Sequence, residues 1–380
     1  MATRLDPNLL DELKEYGAVG LEKCFNCGNC TAICPLASDD YPFPRNAIRR
    51  VQIGQKEHLL GMLDPWLCYY CGECSQTCPK GAEPGETMMA ARRWLIAQYD
   101  WTGLASKFYT SKKWAVGALF LAFVFVILLA ALYHGPVITE RVELNTFAPV
   151  EIIHIADIIL GAMLAFFLLS NLFRMHNLIM GKDPVVRAPL SLYLNQAWML
   201  VYHFLTQQRF SNCANKRHWV SHLILVSGYI TMFVLIVIFL PWFQTDNIYP
   251  IYNPQRWLGY LAAFALIYGT GEALWGRIQK KQQMHRFSHI SDWLFPIQLI
   301  LMAVSGLMIH IFRYQGLALA TYYTYIIHLA IMLTLYVCVG PMGKWSHLAY
   351  RPFAIYLQSV KEKALKTQME HEALAPAGVD

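Results

Sequence analysis

Charge is what this chain has least of. Acidic and basic residues fill 15% of 380 positions, whereas 56% are hydrophobic. That balance excludes an ordinary soluble enzyme, in which about a quarter of residues are charged. No Gly-x-Gly-x-x-Gly run is present, which removes the dinucleotide fingerprint, and no flavin motif is visible. The first 20 residues lack the basic-then-apolar order of a secretory signal. They carry Asp6, Asp11, Glu12, Lys14 and Glu15 instead, so the segment that follows is expected to stay on the cytoplasmic side. The net charge of +6 is modest and gathers in loops beside apolar runs, which points to membrane orientation rather than nucleic-acid binding. Apart from one duplicated cysteine run, the chain shows no internal repeat.

Cysteine is concentrated. Eight of ten lie in two runs of one spacing, Cys24-x2-Cys27-x2-Cys30-x3-Cys34-Pro35 and Cys68-x2-Cys71-x2-Cys74-x3-Cys78-Pro79. This is the bacterial ferredoxin pattern, in which the fourth cysteine of each run serves the other cluster. The expected sets are Cys24, Cys27, Cys30 and Cys78 for one [4Fe–4S] cluster, and Cys68, Cys71, Cys74 and Cys34 for the other. A structural zinc ion also accepts four thiolates, but it needs neither the third close cysteine nor the Cys-Pro ending. Disulfides suit such tight spacing poorly. Thiolates of this kind belong in a reducing compartment, in agreement with a cytoplasmic face.

From Trp114 onward the chain changes character. Six apolar runs, at 114–134, 151–173, 218–242, 256–276, 290–312 and 319–343, approach the length that crosses a hydrocarbon core of about 30 Å. Trp114, Trp242, Trp257, Tyr314, Tyr322 and Tyr323 mark their ends as interfacial residues do. Lys and Arg are plentiful before the first run, between the second and third, between the fourth and fifth, and after the sixth. The other connections hold only Arg141, Arg256 and Arg313. The positive-inside rule then places both termini in the cytoplasm. Residues 188–206, interrupted by Asn195 and Gln196, read as an amphipathic helix on the cytoplasmic surface. The expected division is a two-cluster domain at 1–105, a six-span domain at 106–350 and a cytoplasmic tail at 351–380, with residues 358–374 as a helix that is either solvated or docked on a partner subunit.

Ionisable side chains inside a membrane are costly and mark function, and histidine is a common axial ligand of haem. His328 and His347 stand 19 residues apart on the expected last span, about 28 Å along a helix, so one haem cannot take both. His222 is the expected partner of His347. His154 is the preferred partner of His328, with His310 as the alternate. Asp157 and Glu272 serve either in quinone protonation or as hydrogen-bonded groups within the bundle. Arg217 suits a haem propionate or a lipid phosphate. His176 and His203 could line a cytoplasmic quinone or haem edge. His58, His134, His285, His289 and His371 fall in soluble or loop positions, and Cys213 and Cys338 read as small apolar or interfacial residues.

These residues support a resemblance. Residues 20–95, with both cysteine runs and the stretch from Pro44 to Gly54 between them, resemble the iron–sulfur C subunit of heterodisulfide reductase. The likeness implies an α-helical ferredoxin. The membrane half is similar to the cytochrome b subunit of heterodisulfide reductase and, more distantly, to the gamma subunit of respiratory nitrate reductase, with His222, His328 and His347 at ligand-like positions. It departs from the nitrate reductase pattern at Met232, where a second histidine is replaced. The fusion of both halves resembles the membrane subunit family of the quinone-interacting membrane-bound oxidoreductase. That resemblance implies an all-α fold, two b haems, a menaquinone substrate, two cytoplasmic flavin and iron–sulfur subunits as partners, and exchange with adenylylsulfate reductase. Other readings are a membrane subunit serving another cytoplasmic acceptor, or a haem-free anchor or transport protein that carries a ferredoxin. Neither a catalytic residue nor a quinone site is marked in the sequence.

Overall fold

A computed structural model describes residues 4–181, 188–336 and 340–374, with side chains through Glu370. Every regular element among the described residues is helical. The chain begins with α1 (Leu9–Glu15), α2 (Asn29–Ala32), α3 (Arg45–Gln52), α4 (Lys56–Leu60), α5 (Asp64–Leu67), α6 (Glu73–Gln76) and α7 (Pro84–Tyr99). It continues through α8 (Leu104–Thr110), α9 (Lys112–Tyr133), α10 (Leu144–Phe147), α11 (Val150–Met180), α12 (Leu190–Gln196), α13 (Trp198–Thr206) and α14 (Lys216–Val237). Then come α15 (Leu240–Phe243), α16 (Pro254–Gln279), α17 (Gln283–Arg286), α18 (Ile290–Tyr314), α19 (Ala318–Thr334) and α20 (His347–Leu374).

Packing divides the chain into two units that do not follow chain order. One gathers residues 1–103, 169–216 and 346–380; the other gathers 104–168 and 217–345. The expected solvated helix over 358–374 has an exposed side, with Glu362, Lys363, Lys366, Thr367 and Met369 exposed, while its start is packed. In the first unit Tyr350, Ala354, Ile355, Leu357 and Val360 of α20 are fully buried. Tyr350 lies 5.0 Å from Trp66 and 5.8 Å from Tyr99, ring to ring. The apolar side chains at 350, 354, 357, 360 and 364 recur at helical spacing, which gives α20 a buried stripe. Residues 188–206 form not one helix but two, α12 and α13. Leu190, Leu194, Trp198, Val201 and Leu205 are exposed along them, while Tyr356 donates to Tyr193 O and Ser359 to Gln196 Oε1 from α20.

Between the cysteine runs α3 forms where expected, with Pro44 as its N-cap. Just beyond its end Gly54 has φ +74°, and a Cβ there would collide with Asp6 O. Only glycine accepts both constraints.

In the second unit helices occupy each expected apolar run, but they are not equal. Among the described residues four helices, α9, α11, α14 and α18, are long and apolar enough to cross a membrane. α16 has 26 residues, yet its Gly, Tyr, Trp, Gln, Glu272 and Arg277 dilute its apolar character. α19 is apolar but has 17 residues. The last run was expected to stay helical to 343; regular α-helix ends at Thr334, and His347 opens a separate helix, α20. The 28 Å spacing along one helix therefore does not apply. α9 and α11 present Phe120, Leu121, Leu132, Ile159 and Phe166 outward, as lipid-facing helices do. α14 and α16 approach through small residues: a Cβ on Gly228 would lie 2.9 Å from Ala262 O, and one on Gly269 2.6 Å from Leu225 Cβ.

Candidate metal centres

Both cysteine runs fold alike. Asn26 and Tyr70, each just before the second cysteine, take φ +60° and +58°. Gly28 and Gly72, each just after it, take φ +90° and +87° and open α2 and α6. Closely spaced left-handed residues turn the chain around a centre and aim backbone N–H groups inward, the geometry that receives an anionic cluster. Asn29 Nδ2 donates to Thr77 O at 2.8 Å, joining one run to the other.

The second run closes around a small cavity lined by Cys68, Cys71 and Cys74 together with Cys34 of the first run. Tyr70 N–H points to Cys68 Sγ at 3.3 Å. Burial pushes the Cys34 thiol up to about 12 and also raises Cys68 and Cys74. Such thiols become thiolates only when a metal centre displaces their protons. In the first run Cys30 rises to about 11, first through burial and then through Cys24. Ala82 N–H lies 3.4 Å from Cys78 Sγ. Among the described residues no three His, Cys, Asp or Glu side chains converge as they would on one metal ion. The donor set, its inward amides and its raised thiols fit an iron–sulfur cluster.

Three groups that the motif did not reveal surround the second run. Cys213, expected to be a small apolar residue, is buried and its thiol donates to Cys71, which lowers Cys71 and raises Cys213. Arg92 donates through Nε to Pro65 O at 2.6 Å and through Nη2 to Cys68 O. Arg351 of α20 donates to the same Cys68 O at 3.3 Å, and its guanidinium carbon sits 4.2 Å from the Tyr69 ring centre. Burial, then the neighbouring Arg351, pushes Arg92 down to about 9, which leaves it charged at neutral pH. A periodicity count over 347–364 could have flagged α20; nothing local marks Cys213 or Arg92.

Residues 20–82 match the 4Fe-4S dicluster domain. Two curated relatives match part of the chain. A protein of Archaeoglobus profundus described as like the C subunit of heterodisulfide reductase is 35% identical over 104 residues, which is 27% of this chain and 55% of the relative. The C subunit of the H2:CoB–CoM heterodisulfide, ferredoxin reductase of Methanothermobacter marburgensis is 30% identical over 63 residues, 17% of this chain and 34% of the relative. The chain thus spans about half, or less, of the length of these relatives. No solved structure matches. The chain is therefore similar in part to these two relatives, and its residues 20–82 to a dicluster domain.

The histidines separate by surroundings. His328 and His310 line one cavity of about 160 Å3 in the second unit, together with Met232, Gly306 and Asp157. Ser305 Oγ lies 2.8 Å from His328 Nδ1, so Nε2 is the nitrogen left for a ligand. His310 Nε2 meets the Tyr260 hydroxyl. His154 Nε2 bonds Val237 O at 3.0 Å instead. Asp157 also lines a neighbouring cavity of about 170 Å3 with Phe233, Tyr336 and Trp345. Glu272 is ion-paired to Arg217 at 2.9 Å, with its second oxygen buried and unbonded. His289 caps α18 and reaches Tyr109 O at 2.9 Å, a structural role. His222 lies in α14 of the second unit, and His347 opens α20 in the first. His176 bonds the Tyr193 hydroxyl at 3.0 Å, and His203 is buried. Cys338 lies outside the described residues.

Proposed function

We propose that this chain is a membrane electron-transfer subunit of an oxidoreductase complex. It passes electrons between the menaquinone pool and cytoplasmic flavin and iron–sulfur partner subunits. The observation that carries the reading is the gathering of Cys34 with Cys68, Cys71 and Cys74 around one cavity within a matched dicluster domain. Cys24, Cys27, Cys30 and Cys78 are the corresponding set for the first centre. Clusters held this way supply one-electron carriers.

In the membrane half, two b haems would supply further one-electron carriers. His328 fits a haem iron: it lines a cavity beside Gly306, and Ser305 orients its ring. His310 and Met232 share that cavity and are candidate partners, with His310 Nε2 on the Tyr260 hydroxyl; His154, the other candidate, has its Nε2 on Val237 O. His222 and His347 remain the second ligand pair on the strength of the family likeness. Asp157, which lines both cavities, is placed to take a quinol proton; Glu272 is committed to Arg217. The charge of the loops supports six spans with both termini on the cytoplasmic side of the inner membrane. Exchange with adenylylsulfate reductase is the sulfur-metabolism form of this reading.

Redox-titrated optical and paramagnetic spectroscopy of the purified full chain tests it. Two [4Fe–4S] signals and b-type absorption are expected. Clusters without b-type absorption would leave a ferredoxin on a haem-free anchor. His347→Ala should remove one haem and keep both clusters; full haem retention would overturn that assignment.

A further inference from the structure

Arg92 and Arg351 make an unusual pair. Two guanidiniums converge on one carbonyl, that of Cys68, inside the first unit. Arg92 is 6% exposed. Neither has a carboxylate partner among the described residues, and Arg351 Nε is buried with no hydrogen bond at all. Burying a cation without an anion is costly, so such charges persist where a counter-charge is present. The group that fits beside Cys68 is the anionic cluster itself.

The first centre lacks this arrangement. Cys27 is exposed, and the cations near it, Arg45 beside Gly28 and Lys80 over Phe25, belong to exposed side chains. Water and salt screen such charges. One carboxylate opposes the two arginines: Glu73 acts on Cys71, but it is only half-buried and its Oε1 already accepts Ala214 N–H at 2.9 Å. One buried and one half-buried cation outweigh one half-buried anion whose Oε1 is already engaged, because the Coulomb interaction strengthens as the dielectric constant falls.

We infer that Arg92 and Arg351 are potential-setting residues that make the second site, held by Cys34, Cys68, Cys71 and Cys74, the higher-potential member of the cluster pair. This rests on the electron-transfer reading above. Reduction adds one negative charge and no proton, and positive charge nearby favours the reduced form. An electron shared between the sites therefore resides at the second, and the exposed first site is the point of exchange with a soluble one-electron partner.

The test is a potentiometric titration followed by electron paramagnetic resonance on the full chain with both clusters loaded. Cys34→Ser identifies the second signal. Wild type should show the second midpoint above the first. Arg351→Gln should weaken reduction of the second site at least tenfold, about 59 mV for a one-electron couple, and leave the first unchanged. Arg351→Lys should restore most of that shift. Glu73→Gln, a change at a half-buried side chain, should move the second midpoint upward, and it decides the matter if Arg351→Gln loses the cluster. Equal shifts at both sites, or no shift in Glu73→Gln and Arg351→Gln, would overturn the assignment. Absence of both clusters from wild type would instead overturn the electron-transfer reading.

Discussion

The two cysteine runs share a backbone and differ in what covers them. Left-handed residues recur at matching positions in both, and each run opens a one-turn helix with glycine. Yet the first run shows Phe25, Cys27 and Ile33 to its surroundings, while the second lies against Phe210, Cys213 and Arg351, supplied by distant parts of the chain. A duplicated motif thus settles ligation and leaves environment free to vary. Ligation decides which cofactor is bound; environment decides how readily it is reduced.

The comparison can be broken most severely at Cys34. If this cysteine belongs to the second site, Cys34→Ser should abolish or convert that cluster and spare the first, lowering iron per chain by up to half. Loss confined to the first cluster would remove the crossover. Covering should matter next. Tyr350→Ala empties a fully buried place beside Trp66 and Tyr99 and should cost about 3–5 kcal/mol, as large aromatic truncations do, in thermal or denaturant unfolding of the first unit. Gly54→Ala, between the runs, meets a backbone oxygen at positive φ and should cost more than about 1 kcal/mol by the same measurement. Phe25→Ala, on the open side, should stay within about 0.5 kcal/mol, because that ring is 57% exposed. A large loss at Phe25 together with none at Tyr350 would reverse the picture.

Local features were legible in the sequence. The cysteine spacing, the helix at Arg45–Gln52 and the starts of the apolar helices depend on neighbours within a few residues, and they appear within a few positions of expectation. Pairings across the chain were not legible. Arg351 reaches Cys68 over a separation of 283 residues, and hydropathy carries no record of that partnership. The sixth run misled for a related reason. Its composition stays apolar through Gly340, but composition does not report where regular α-helix gives way, and it gives way to π-helix at Leu335 and Tyr336. Ser305 on α18 meets His328 on α19, a pairing that neither segment's own sequence records.

The burial of α20 also sets an order of assembly. A ribosome makes residues 1–103 before residues 346–374, with the apolar helices of the second unit in between, although both segments belong to one packed unit. The N-terminal portion therefore emerges without Tyr350 and Arg351, and the Cys68 carbonyl gains its second guanidinium only after the intervening helices have been made.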